Sequence, residues 1–239
     1  MTTTPPTTGC PTSRRTFSPR TEQTIEVLVF LFLIVPSLIL SLFAVPEGGV
    51  DFIVVALSTI FRDLGLVALI VFFLWRNSEP LSQIGWTSRN AWKEIALGII
   101  LFVPTFVATD FLEQLLRAAG LSSPSTLPAF LTPSTGAQFV LAAVLVVVVA
   151  IAEETIFRGY LILRFEETTG IPLISVLLSA IIFSVGHGYE GSAGVITVGV
   201  MGIIFALVYL WRRSLVAPIT IHFLQDFLGI VLLPLLGIR

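Results

Sequence analysis

Long apolar stretches alternate along the chain with short clusters of proline, glycine and charge. The apolar runs predict helices over about 25–44, 50–75, 95–108, 138–164, 171–188, 193–211 and 215–236. A helix needs roughly 20 apolar residues to cross the hydrocarbon core of a bilayer. The pattern therefore predicts an all-α fold, a polytopic membrane helical bundle of about seven (six to eight) transmembrane helices. Breakers set the boundaries: Pro46, Gly48 and Gly49 close the first run, and Thr168, Thr169, Gly170 and Pro172 turn the chain between the fourth and fifth. Arg62 and Asp63 interrupt the second run, where the chain either turns a charged pair inward or breaks its helix. The segment 110–137 holds Pro124, Pro128 and Pro133 and reads as an interfacial helix or lid. Residues 1–21, rich in Thr and Pro, read as a disordered tail ahead of a single transmembrane domain, 22–239.

Composition agrees with a lipid solvent. Mean hydropathy is +0.98 and 12% of residues are charged, against about 25% in a soluble domain. The net charge of -2 carries little, because position matters more than sum in such a chain. Arg14, Arg15, Arg20, Arg76, Arg89, Lys93, Arg158, Arg164, Arg212 and Arg213 fall on one side of the predicted topology, and only Arg117 and Arg239 on the other. The positive-inside rule then puts the N-terminus in the cytoplasm and the C-terminus outside. Cys10 is the single cysteine and has no internal disulfide partner.

Ionisable groups inside the apolar runs narrow the picture. Placing Asp or Glu within a bilayer costs about 2.5–3.5 kcal/mol each on insertion scales, so pairing or function must offset it. Glu153 and Glu154 follow a run, 139–151, that is free of charge. Glu154 and Arg158 are four apart and share a helix face as an expected ion pair; Glu153 lies about 100° around the helix, without that partner. His187 follows the next run. Both Glu153 and His187 lie 17 residues from Gly170, so a helical hairpin would hold them at equal depth, roughly 25 Å from its turn. His222 and Asp226, one turn apart, project from one face. Phe183 reads as packing, and Gly186 and Gly188 allow either close helix contact or space for a peptide.

Each pair has a purely structural reading, an ion pair for Glu154 and Arg158 or an interhelical clip for His222 and Asp226. Together they also fit two hydrolytic chemistries. In one, Glu153, His187 and His222 ligate a divalent metal such as Zn2+ with one position open to water. In the other no metal is needed: Glu153 and His187 act as general base on a water, and His222 with Asp226 supports the oxyanion. No HExxH helix and no convincing serine nucleophile is present. The same groups also suit the relay of a proton-coupled transporter, although no repeated halves are visible, or a catalytically silent membrane scaffold. The partners implied are the lipid bilayer and a peptide or membrane-anchored protein; nothing points to nucleic acid.

Read together, Glu153-Glu154-x-x-x-Arg158-Gly159-Tyr160-Leu161, Phe183-x-x-x-His187 and His222-x-x-x-Asp226 resemble the three signature motifs of the CPBP family. That family groups CAAX proteases, bacteriocin-processing proteins and abortive-infection-type membrane proteins, and includes the type II CAAX prenyl endopeptidase. With the loop LSQIGW (81–86), which resembles a stretch that precedes the family's core, the likeness spans about 76–236. It implies an intramembrane endopeptidase in which Glu153, Glu154 and His187 activate water, His222 and Asp226 line an oxyanion site, and Arg158 and Phe183 support them. Many relatives carry Asn where this chain has Asp226. A carboxylate is the poorer donor, so a role in orienting His222 or contacting a metal gains weight. The resemblance leaves the substrate open, prenylated or not; a plasma membrane of bacterial type is inferred from the compact chain.

Overall fold

The computed structural model describes residues 19–41, 51–87, 89–124 and 127–238. Cys10, most of the predicted tail and the breakers after the first run lie outside them. Residues 19–21 belong to the first helix instead of the tail.

Seven helices follow: α1 (Pro19–Ser41), α2 (Phe52–Arg76), α3 (Ala91–Ala118), α4 (Gly136–Thr169), α5 (Pro172–Val185), α6 (Gly191–Arg212) and α7 (Val216–Leu235). No strand occurs among the described residues. Among them, α2, α3, α4, α6 with its leading turn, and α7 are long and apolar enough to cross a membrane, and α5 is a shorter apolar helix. Outward-facing Phe32, Phe61, Ile100, Val140 and Leu207 suit lipid as the solvent. The fold is the polytopic helical bundle that the apolar runs predict.

Local chemistry sets the helix ends. Asp51 caps α2 by accepting from the Ile53 N–H at 2.6 Å, and Thr135 caps α4 by accepting from Gln138 N–H at 3.3 Å. Gly170 ends α4 at φ +71°, where a side chain would be strained, and Pro172 opens α5. One open alternative is decided and one boundary differs from that read in the sequence. Helix α2 runs through Arg62 and Asp63 unbroken, because Asp63 turns inward to a buried position beside Arg62. Helix α3 continues to Ala118, so the connection predicted over 110–137 shortens to a loop with one tight turn, Ala129–Leu131.

Helix α3 lies along α7, α2 along α4, and α5 along α6, while α1 leans on α5 and the end of α4. Gly98 makes the first contact possible: a Cβ there would sit 2.6 Å from Thr220 Cβ and 2.9 Å from the Ala217 carbonyl. One apolar core joins Phe30, Phe73, Tyr160, Phe165 and Phe183 across α1, α2, α4 and α5. A second joins Phe52, Ala56, Leu145, Val146 and Val231 across α2, α4 and α7.

Ion pairs gather at one end of the bundle. Glu26 of α1 meets Arg76 at the end of α2, Arg164 of α4 meets Glu79 and Glu167, and Arg212 at the end of α6 meets Glu94 of α3 at 2.7 Å. Arg158 is not part of this rim. The charge count groups it with the cations at that side of the topology, but it lies buried inside α4.

Candidate active site

Helix α4 widens into π-helical turns over Glu154–Leu161, and all eight residues of that stretch are buried. Such widening is frequent at functional sites. A plug holds it in place. The 81–86 loop makes a tight turn at Leu81–Ile84, reverses at Gly85 (φ +84°) and donates from the Trp86 indole to Thr155 Oγ1 at 3.2 Å. Gly159 lets that loop dock, since a Cβ there would lie 2.8 Å from the Ile84 carbonyl oxygen.

Three charged or polar groups meet in the interior. Glu154 Oε1 accepts from Arg158 Nη1 at 2.7 Å and from His222 Nδ1 at 2.9 Å. The Arg158 guanidinium lies over the Phe183 ring at 4.2 Å and the Phe205 ring at 5.1 Å. Desolvating an ion pair is costly unless further bonds complete it; here an imidazole and two ring faces offset part of that cost, while Glu154 Oε2 and Arg158 Nη2 stay buried without a hydrogen-bond partner. Phe183 thus holds the arginine as well as filling space. Its ring also lies 4.8 Å from that of His187 and 6.1 Å from that of His222.

The imidazole roles follow from the partners. A carboxylate oxygen only accepts, so Nδ1 of His222 carries a proton toward Glu154. Its Nε2 then faces Asp226 Oδ2 at 3.4 Å and Glu153 Oε2 at 3.7 Å. His187 Nδ1 lies 3.0 Å from the Phe183 carbonyl, which also only accepts, so its Nε2 is left with the lone pair. Glu153 Oε2 is buried and has no hydrogen-bond partner. An acceptor orphaned in this way calls for a water or a substrate donor.

These groups line one cavity of about 710 Å³, which includes Glu153, His187, His222 and Asp226. It runs from the π-helical turns to the end of the bundle opposite the ion-pair rim, where α3 and the loop after it close over it through Glu113, Arg117, Pro128 and Phe130. Phe130 packs edge-on against Tyr189 at 5.9 Å, and Ser122 ties the loop to α6 by accepting from the Ala193 N–H at 2.8 Å. The residues singled out in the sequence on three separate runs are brought together. Among the described residues, no group of three or more His, Cys, Asp and Glu side chains is placed to hold a metal ion, and the set Glu153, His187 and His222 is not drawn onto one point.

Sequence reasoning left some wall residues without a role. Arg62 lines the cavity beside Asp63, and Tyr189, Glu190 and Gln225 do so as well. The charged pair in the middle of an apolar run was the available signal for Arg62; the others follow from helix ends that only packing fixes.

A bundle of apolar helices around a chamber with acid and imidazole groups on its wall is an arrangement that intramembrane enzymes and transporters both use. A family comparison narrows that choice: residues 135–228 match the model described as Type II CAAX prenyl endopeptidase Rce1-like. The matched segment runs from the cap of α4 into α7 and contains Glu153, Glu154, Arg158, Phe183, His187, His222 and Asp226. Over this segment the CPBP and CAAX-protease likeness is shown; it starts later than the 76–86 loop that the motifs suggested. Comparison with curated proteins and with solved structures gave no match.

Proposed function

We propose that the protein is an intramembrane endopeptidase that hydrolyses a peptide bond of a peptide or membrane-anchored protein. The observation that carries this reading is the orphaned Oε2 of Glu153 on the wall of a chamber shared with both imidazoles. A water held by Glu153 and the Nε2 lone pair of His187 loses a proton to the carboxylate as its oxygen attacks the scissile carbonyl. The carbonyl oxygen becomes negative, and His222, with carboxylates facing both of its nitrogens and a proton on each, donates to it through Nε2–H while Glu154 and Arg158 fix the ring from behind. Collapse of the tetrahedral intermediate passes the proton to the leaving amine. No step runs through a metal, and Glu153, His187 and His222 would need rearrangement to share one.

The arginine-rich rim supports a cytoplasmic N-terminus, with the chamber on the opposite side. The test is cleavage of internally quenched peptides and membrane-anchored reporters by purified protein in lipid nanodiscs. Glu153→Gln, His187→Ala and His222→Ala are each expected to lower kcat at least 100-fold. Cleavage undiminished in all three would refute the proposal; proton flux lost in Glu153→Gln without any proteolysis would replace it with transport.

A further inference from the structure

Arg62 is a cation on the chamber wall that the family match does not reach. It lies ten residues into α2, about 15 Å below the start of the helix. An arginine at such depth faces a cavity or a partner, and this one lines the chamber. Its Nε donates to Asp63 Oδ1 at 2.8 Å, and Asp63 is buried. That bond fixes the plane of the guanidinium and leaves both terminal nitrogens without a partner among the described residues. Arg62 is within electrostatic reach of Glu153, yet no ion pair within 4.0 Å joins them, so the charge is not already neutralised there.

The reaction proposed above needs donors where the carbonyl oxygen turns negative. Asp226 shares the chamber wall and lies 3.4 Å from His222 Nε2, but as a carboxylate it only accepts. Arg117 is held by Glu113 and Ser123, and Arg158 is sealed behind Phe183 by Glu154. Beside His222, the chamber wall thus keeps one guanidinium with free N–H groups within electrostatic reach of Glu153. We propose that Arg62 is a catalytic residue that donates to the oxyanion, taking the place of the donor that Asp226 lacks. This rests on the endopeptidase reading.

The experiment measures kcat and KM for Arg62→Gln and Arg62→Lys, each with Asp226 and with Asp226→Asn, on quenched peptides with free and with amidated C-termini. Loss of one oxyanion donor lowers kcat by about 10²–10³-fold, so Arg62→Gln should do this with KM nearly unchanged on both peptide forms. With Asp226→Asn the amide supplies a donor, and the same substitution should cost about tenfold or less. Arg62→Lys keeps the charge without the fork and should fall between; it also serves if Arg62→Gln fails to fold. An unchanged kcat overturns the inference while Glu153-dependent cleavage keeps the endopeptidase reading. A KM rise confined to free C-termini overturns it in favour of a carboxylate anchor. Equal losses in both backgrounds, tracking melting temperature, overturn it in favour of a structural role. No Glu153-dependent cleavage by the unaltered protein removes both proposals.

Discussion

Removal of Arg158 tests whether the interior ion pair holds the helices together. In Arg158→Met the Glu154 carboxylate keeps only its bond from His222, with no guanidinium at 2.7 Å. Breaking a buried pair by removing one partner costs about 3–5 kcal/mol, because an uncompensated charge stays inside. Loss of the guanidinium over Phe183 and Phe205 adds about 0.5–2 kcal/mol for each desolvated contact. The sum is near the whole stability of an ordinary domain, about 5–15 kcal/mol. Methionine fills part of the same volume against Gly202 and so limits the cavity contribution. Glu154→Gln combined with Arg158→Met removes the orphaned charge, and the double variant should recover at least half of the loss. Reversible unfolding in mixed micelles, followed by tryptophan fluorescence, measures all four proteins. A single Arg158→Met variant within about 1 kcal/mol of the parent would refute the argument, since the pair would then carry little. Activity should stay low in the stable double variant, because a glutamine no longer sets the charge behind His222.

Three further outcomes are expected. Asp226→Asn should retain or raise kcat, since it exchanges an acceptor near His222 Nε2 for a potential donor; a loss above tenfold would show that the carboxylate itself is needed to orient the ring. Protein freed of metal by chelation, checked by elemental analysis, should keep its activity; a stoichiometric metal that leaves and returns with activity would instead support ligation by Glu153, His187 and His222. Gly98→Leu should destabilise the α3–α7 contact by about 1–3 kcal/mol or more, since its Cβ alone would fall 2.6 Å from Thr220; unaltered melting would show that the helices part easily.

The apolar runs revealed seven helices because helices packed in a lipid solvent carry long apolar stretches, five of them among the described residues long enough to cross a bilayer, and that demand leaves a plain trace in composition. The i, i+4 spacing likewise revealed two pairs, Glu154 with Arg158 and His222 with Asp226, since four residues return a helix to the same face. Less was visible where the backbone departs from regular geometry. The π-helical turns at Glu154–Leu161 have no composition signature, and neither does the bond from His222 to Glu154, which joins residues 68 apart. Counting charges also placed Arg158 among the cations that close the fourth span, while the pair with Glu154 on its own helix holds it buried in the interior. Arg62 and Asp63 were conspicuous as letters, yet only the packing of α2 on α4 decides that the helix stays whole and that one member faces the chamber.

The chamber lies at the end away from the arginine rim. If the proposed hydrolysis and a cytoplasmic rim both hold, cleavage would take place in the far leaflet: the segment to be cut would have crossed the membrane before it reached Glu153, and the water that cuts it would enter from outside. Export would then set the order of processing, with translocation preceding trimming.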